Sequence, residues 1–344
     1  LVEGVGFKLN EQGGIDYLSK NGQLTEEAPL VWNVVNNFKK PVKAKYRLGK
    51  HFWSFDLGTY RSDELLVLDP TLVASTFSGE TFDNWGFTAT YGPNGDMYLG
   101  GIIFNPGYPT NLGAFQTTYG GFVDMTLSRY NAQGTNQIYG TYLGGGARDE
   151  VLSLVTNAAG DLFLLGKVRS VDFPMGPSPY DNVHNGNLDL VVARLSAAGN
   201  VLQGSTYLGG SGNEGANAGN SQRFNAQALE FNYGDDGRGE ILLDAEGNVL
   251  VVCNTASADF PVQQGFQPLF GGIQDGILAK LNPGLNSLLY STFLGGSEMD
   301  AAYGIRSLGG DTVVVVGSTF SANFPISPLA LGHNRIHQGS CDGF

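Results

Sequence analysis

The chain has 344 residues and is short of charge, cysteine and histidine. Charged residues make up 15 % and aromatics 11 %, which excludes a disordered chain, since disorder needs more charge and fewer aromatics. Two cysteines, Cys253 and Cys341, supply neither a disulfide framework nor a four-ligand zinc pattern, and they leave the redox compartment open. No apolar run approaches the ~20 residues of a transmembrane helix. The opening LVEGVGFKLN has neither the basic nor the apolar part of a secretory leader. Helical periodicity is missing throughout. Basic residues are scarce after residue 70. Residues 71–344 hold ten Lys or Arg against 23 Asp or Glu and carry the whole net charge of −13, whereas residues 1–70 balance at nine and nine. Such an acidic surface repels phosphate backbones and anionic lipid, so neither nucleic acid nor docking to anionic lipid is expected, and without a long apolar run neither is membrane insertion.

What is abundant is glycine, 51 residues of it. The hexapeptide STFLGG (291–296) has near-copies in STYLGG (205–210), GTYLGG (140–145) and STFSGE (75–80). Three further landmarks keep phase with it. An aromatic-proline corner recurs as GYP (107–109), DFP (172–174), DFP (259–261) and NFP (323–325). A Gly-Asn/Asp turn recurs in NGDMYLGG, AGDLFLLG, EGNVLVVC and GGDTVVVVG. An aspartate opens a strand at Asp124, Asp189, Asp275 and Asp342. Self-similarity of this kind marks a repeat architecture. Each unit reads as two hairpins, hence four antiparallel strands, the pattern of a β-propeller blade. The fold class expected is therefore all-β. About three and a half four-stranded blades follow a small antiparallel β domain. The hexapeptide reads as an edge strand whose double glycine allows φ > 0 and close backbone approach between blades.

The motifs YSTFLGG, DFP with GAFQTTYGG (113–121), GNVLVV and DGILAKLNPG (275–284) resemble the bacterial β-propeller repeats called SBBP repeats, over residues 71–344. Residues 1–70 resemble the end of the β-rich domain that precedes such repeats, closing on ELLVLDP (64–70). The resemblance implies a large, exported, cell-surface bacterial protein, similar to type IX secretion cargo of the Bacteroidota. It also implies the outer-membrane secretion machinery as a partner.

The division expected is 1–70 for the β domain and 71–344 for the propeller. The propeller part comprises an orphan strand at 72–79, blades at about 85–143, 150–208 and 226–294, a partial blade at 301–344, and an insertion at about 211–239. The chain opens mid-domain and stops within a strand, which predicts a piece of a longer protein. In the first 70 residues, PVKAKYRL and HFWSFDLG read as a hairpin closed at Gly49-Lys50, with Val42, Ala44, Tyr46 and Leu48 on one face, within a meander.

A residue present in every repeat is most simply scaffold. The acids after the hexapeptides (Asp83, Asp149, Glu214, Asp300) and the strand-opening aspartates (Asp124, Asp189, Asp275, Asp342) read as turn acids that accept backbone N–H bonds. The alternative is a ring of weak Ca²⁺ sites. Departures from the repeat carry more information. In the insertion, Phe224, Phe231 and Tyr233 are candidate stacking platforms for a surface glycan, and Asp235, Asp236 and Glu240 are candidate Ca²⁺ ligands. His333, His337 and Cys341 have metal-ligand spacing but lie in a glycine-flanked loop. Cys253 occupies a position held by glycine in the other repeats, and reads as packing. No GxSxG elbow or phosphate loop occurs, and no catalytic residue is assigned. The expectation is a non-catalytic extracellular scaffold or adhesion module that binds other protein chains or surface glycans. No cofactor is expected, with Ca²⁺ as the one candidate. The alternatives are a carbohydrate-binding propeller, a structural subunit of an assembly, and a propeller enzyme whose site lies in other blades.

Overall fold

The computed structural model describes residues 6–19, 22–36, 38–49, 53–69, 83–217, 237–326, 336–337 and 339–344. These residues contain strands and turns and no α-helix. The chain divides into two compact units: Leu1–Thr76 with Gln133–Thr135, and Phe77–Ala132 with Asn136–Phe344.

In the first unit, β1 (Gly6–Leu9), β2 (Ile15–Ser19) and β3 (Gly22–Glu26) form one antiparallel sheet. Strand β4 (Leu30–Val35) lies between β5 (Phe38–Val42) and β8 (Leu65–Asp69), and β6 (Ala44–Leu48) pairs with β7 (Trp53–Leu57). Ile15, Val31, Val35, Val42 and Tyr46 are buried. The expected meander is broken in two places. PVKAKYRL is not one strand, because it splits at Lys43, whose carbonyl accepts the Gly58 N–H at 2.7 Å. Val42 therefore pairs with Val31 of β4 while Tyr46 pairs with Phe55 of β7, so the alternating face is divided between two sheets. Leu48 pairs with Trp53, so β6 and β7 form the expected hairpin, while Lys50 of the expected turn lies outside the described residues. Strand β8 reaches β4 from far along the chain. The buried Asn33 side chain helps hold that approach, donating to the Arg61 carbonyl at 3.2 Å and accepting the Arg61 N–H at 2.8 Å.

The second unit is a series of antiparallel sheets. Sheet I comprises β9 (Asn84–Tyr91), β10 (Met97–Ile103), β11 (Asp124–Tyr130) and β12 (Gln137–Leu143). Sheet II comprises β13 (Asp149–Thr156), β14 (Leu162–Val168), β15 (Asp189–Leu195) and β16 (Leu202–Leu208). Sheet III comprises β17 (Glu240–Leu243), β18 (Val249–Thr255), β19 (Asp275–Leu281) and β20 (Leu288–Leu294). Sheet IV has β21 (Asp300–Gly309), β22 (Thr312–Thr319) and β23 (Asp342–Gly343). Strands adjacent in sequence are adjacent in each sheet. Even the irregularities repeat. An extra residue bulges from the first strand at Phe87, Leu152 and Tyr303. Another bulges from the fourth at Ile138, Gln203 and Leu289. Each bulge sharpens the local twist.

The second strands β14 and β18 are buried along their full length, which is why LFLLGKV and VLVVCNT run nearly unbroken in apolar residues. Leu127, Val151, Leu164 and Val191 pack between sheets I and II. Phe163, Leu165, Val192, Val251 and Ile277 pack between II and III, and Val252, Ala302 and Ile305 between III and IV. Full burial of one such side chain stabilises by about 1.5–3 kcal/mol. The first strands of successive sheets touch one another in order, β9 to β13, β13 to β17 and β17 to β21.

Each first hairpin turns on a glycine with positive φ, at Gly95, Gly160 and Gly247. An acid of that turn then meets a cation from the third strand. Arg129 binds Asp96, Arg194 binds Asp161 at 2.7 Å, and Lys280 binds Asp244 at 2.8 Å. Among the described residues, three of the scarce basic side chains of this unit are thus held at one repeated place.

Candidate functional site

The repeated acids converge on the steps between sheets. At each step two carboxylates face each other across a glycine. One comes from the start of a third strand and the other from the start of the next sheet's first strand. The pairs are Asp124 with Asp149, Asp189 with Glu214, and Asp275 with Asp300, and all six side chains are buried.

The first acid of each pair binds the backbone of the loop that leads into its own strand. Asp124 accepts the Gly120 N–H at 2.6 Å, Asp189 the Asn185 N–H at 2.8 Å, and Asp275 the Gly271 N–H at 2.8 Å. The second acid binds a serine hydroxyl from the following corner. Ser170 donates to Asp149 at 2.7 Å, Ser321 to Asp300 at 2.7 Å, and Ser257 to Glu214. The same hydroxyls accept backbone N–H bonds from the interstrand step: Ala147 to Ser170 and Gly212 to Ser257 at 2.8 Å, and Glu298 to Ser321 at 2.9 Å. Two residues on, Asp172, Asp259 and Asn323 accept the N–H of Gly146, Ser211 and Ser297, each at 2.9 Å. Short parallel bridges (Val123 with Arg148, Leu188 with Asn213, Gln274 with Met299) complete the step in backbone.

The double glycines sit inside this network. Their φ values are not positive, contrary to the expectation from sequence. Glycine is required by crowding instead. A Cβ on Gly144 would lie 2.7 Å from Asp124 Oδ1, and one on Gly209 would lie 2.6 Å from Glu214 Oε2. A Cβ on Gly145 would lie 2.7 Å from Ser170 Cβ, and one on Gly296 would lie 2.5 Å from Ser321 Cβ. The remaining hexapeptide letters grip the corner segment. Ser205 donates to the Pro174 carbonyl at 2.8 Å and Ser291 to that of Pro261 at 2.6 Å. Thr141, Thr206 and Thr292 accept the N–H groups of Gln116, Asp181 and Gln267.

Burial, with the neighbouring acid's charge among the lesser causes, pushes the Asp124 carboxyl up to about 6 and those of Glu214 and Asp275 up to about 7. Burial also raises Asp149 and Asp189. Asp124 Oδ1, Glu214 Oε2, Asp275 Oδ1 and Asp300 Oδ1 are buried and have no hydrogen-bond donor. Each pair thus suits one shared proton or a hard cation.

The other sequence-derived candidates are not brought to this site. Asp83 is exposed, and Asp342 is half-buried at the start of β23. Phe224, Phe231, Tyr233, Asp235, Asp236 and His333, with the strand expected at 72–79, lie outside the described residues. Glu240 starts β17. Its carboxylate accepts the Ile305 N–H at 2.7 Å and a bond from Arg306 at 2.5 Å, so it ties sheet III to sheet IV. Cys341 lies in non-helical backbone with His337 nearby in sequence. Cys253 is fully buried and donates to the Arg238 carbonyl. Among the described residues the one metal-like trio is Asp244, Glu246 and Asp311, and Lys280 bonds to two of its members. Sequence reasoning missed the corner serine. The signal was present, since the corner word is SVDFP, SADFP and SANFP rather than DFP alone.

Comparison with known proteins is narrow. Residues 2–71 match a domain of unknown function, DUF7948. No curated protein matches. Among solved structures, the rhamnogalacturonan lyase YesW is similar at 12 % identity and a TM-score of 0.33, with 85 % of this chain and 53 % of that one covered. The chain thus spans about half the length of that structure.

Proposed function

We propose that residues 71–344 are blades of a β-propeller, and that the protein is a non-catalytic scaffold or adhesion module. Its place is at the surface of an exported bacterial protein of the SBBP-repeat kind. The observation that carries this reading is the thrice-repeated junction. The same carboxylate pair, serine and corner residue recur at each step, bonded to backbone and to one another. First strands that touch in series support a radial arrangement of the sheets. Polar groups engaged identically in every repeat serve the frame, which leaves recognition to the features that differ.

The test is an immobilised sample of the purified protein screened against panels of proteins and surface glycans. Saturable binding with the ligand recovered chemically unchanged is expected. Turnover of any bound ligand would overturn the non-catalytic reading.

The donor-less carboxylate oxygens support a second reading, in which Ca²⁺ bridges each acid pair. Calorimetry at pH 8, where the acids have lost their protons, with CaCl₂ and with EGTA tests the cation. A melting temperature raised by Ca²⁺, with the gain lost in Asp275→Asn, supports the cation. Identical melts would count against the cation.

A further inference from the structure

One cleft breaks the repeat. It has a volume of about 520 Å³, lies at the start of sheet II, and is lined by Arg148, Lys167, Arg169, Glu150, Phe122 and Leu188 among others. The registers give the equivalent positions in the next two sheets. Arg148 corresponds to Asn213 and Met299, and Glu150 to Gly215 and Ala301. Lys167 corresponds to Asn254 and Ser318, and Arg169 to Ala256 and Phe320. Phe122 corresponds to Asn187 and Ile273. The framework needs no cation at these places, since the same junction forms without one in sheets III and IV.

Among sheets II to IV, the cationic lining is therefore a property of this cleft. Three of the ten basic residues between 71 and 344 meet here, in a region that is otherwise acidic. Glu150 is the carboxylate among the lining residues, and it is held from both sides by Arg148 and by Lys167 at 2.9 Å. Asp149 is turned into the acid pair, and Asp172 is bonded to the Gly146 N–H at the rim. Three cations around one acid leave the cleft with a positive surplus. Arg148 and Arg169 are exposed, and Arg169 donates to Asn187 Oδ1 at 2.9 Å. A guanidinium has five N–H donors in a planar fork that matches a carboxylate. Phe122, 71 % exposed, offers an aromatic face at the edge of the same cleft.

We infer that this cleft binds a uronic-acid residue of a polysaccharide. The carboxylate would meet the Arg148 and Arg169 guanidinium groups, and the C–H face of the sugar ring would stack on Phe122. A carboxylate carried on a ring with an apolar face is the chemistry that uses both features at once. The inference goes beyond the scaffold reading: the junction uses backbone of Gly146, Ala147 and Arg148 at this cleft, whereas the Arg148, Arg169 and Phe122 side chains are not among its hydrogen bonds.

Isothermal titration of the whole protein with a galacturonate tetramer tests it, with a neutral glucose tetramer and a poly-glutamate peptide as comparators. Saturable binding of the uronate alone is expected. It should weaken roughly ten- to hundredfold in Arg169→Gln. It should also weaken in Phe122→Ala, with melting temperatures unchanged because both residues are exposed. Absence of uronate binding, or equal binding by Arg169→Gln, would overturn the proposal. Equal binding of poly-glutamate would overturn the sugar assignment. Turnover of a bound uronate would contradict the scaffold reading while leaving this one standing.

Discussion

At the scale of residues, the glycines and acids of the junctions explain one another. The acids pack so closely on the glycine Cα atoms that no side chain fits between them. Gly209→Ala should therefore cost about 1–3 kcal/mol or more, read as a lower melting temperature, because its Cβ would meet two carboxylates. Gly146→Ala, one residue beyond the crowded pair, should be tolerated, since its nearest neighbour would be at an ordinary 3.4 Å. The acids also set a pH dependence. The unfolded chain loses these protons near pH 4. The folded chain keeps those of Asp124, Glu214 and Asp275 until about pH 6 to 7. Between these limits the folded state holds more protons than the unfolded one, so stability falls as pH rises from about 4 to about 7 and then levels. Calorimetric melts across that range should show the fall, and Asp275→Asn should make it shallower. A slope unchanged in Asp275→Asn would assign the pH dependence to other groups.

At the scale of elements, the corner is the strap that closes each step. Ser257→Ala removes the hydroxyl that serves both Glu214 and the Gly212 N–H. The loss should be about 1–3 kcal/mol, the cost of leaving buried polar groups unpaired. Ser257→Thr keeps the hydroxyl and should recover part of the loss. Repetition made the four-stranded units and their turns legible in the sequence, because Asp124, Asp189 and Asp275 do open third strands. The pairing of those acids with Asp149, Glu214 and Asp300 was not legible. The partners are about 25 residues apart and meet only through the step between sheets. The glycine pairs were read correctly as sites of close approach but wrongly as sites of positive φ. Glycine in sequence does not say whether space or conformation requires it. In the first unit, strand alternation in PVKAKYRL was real, but nothing local marks Lys43 as the point where the chain changes sheet. The cleft of sheet II was hidden for a related reason, since its cations come from both ends of a hairpin.

At the scale of the whole molecule, cohesion runs from sheet to sheet. Sheets II and III have their second strands buried throughout, whereas sheet IV leaves Leu308, Val314 and Val316 exposed. Local opening should follow that difference. Native-state hydrogen exchange is expected to be slowest in β14, β15 and β18 and markedly faster in β22. Equal protection of β22 would mean that sheet IV is covered by something else in solution. If the sheets are propeller blades, the repeated junction turns each into the next by the same rotation. Crystallography or electron cryomicroscopy of the protein measures that rotation directly. The expected result is sheets I to IV related by one recurring rotation about a common axis, with β9, β13, β17 and β21 nearest that axis and an acid pair at every step. Sheets stacked without a shared axis, or acid pairs opened to solvent, would contradict it.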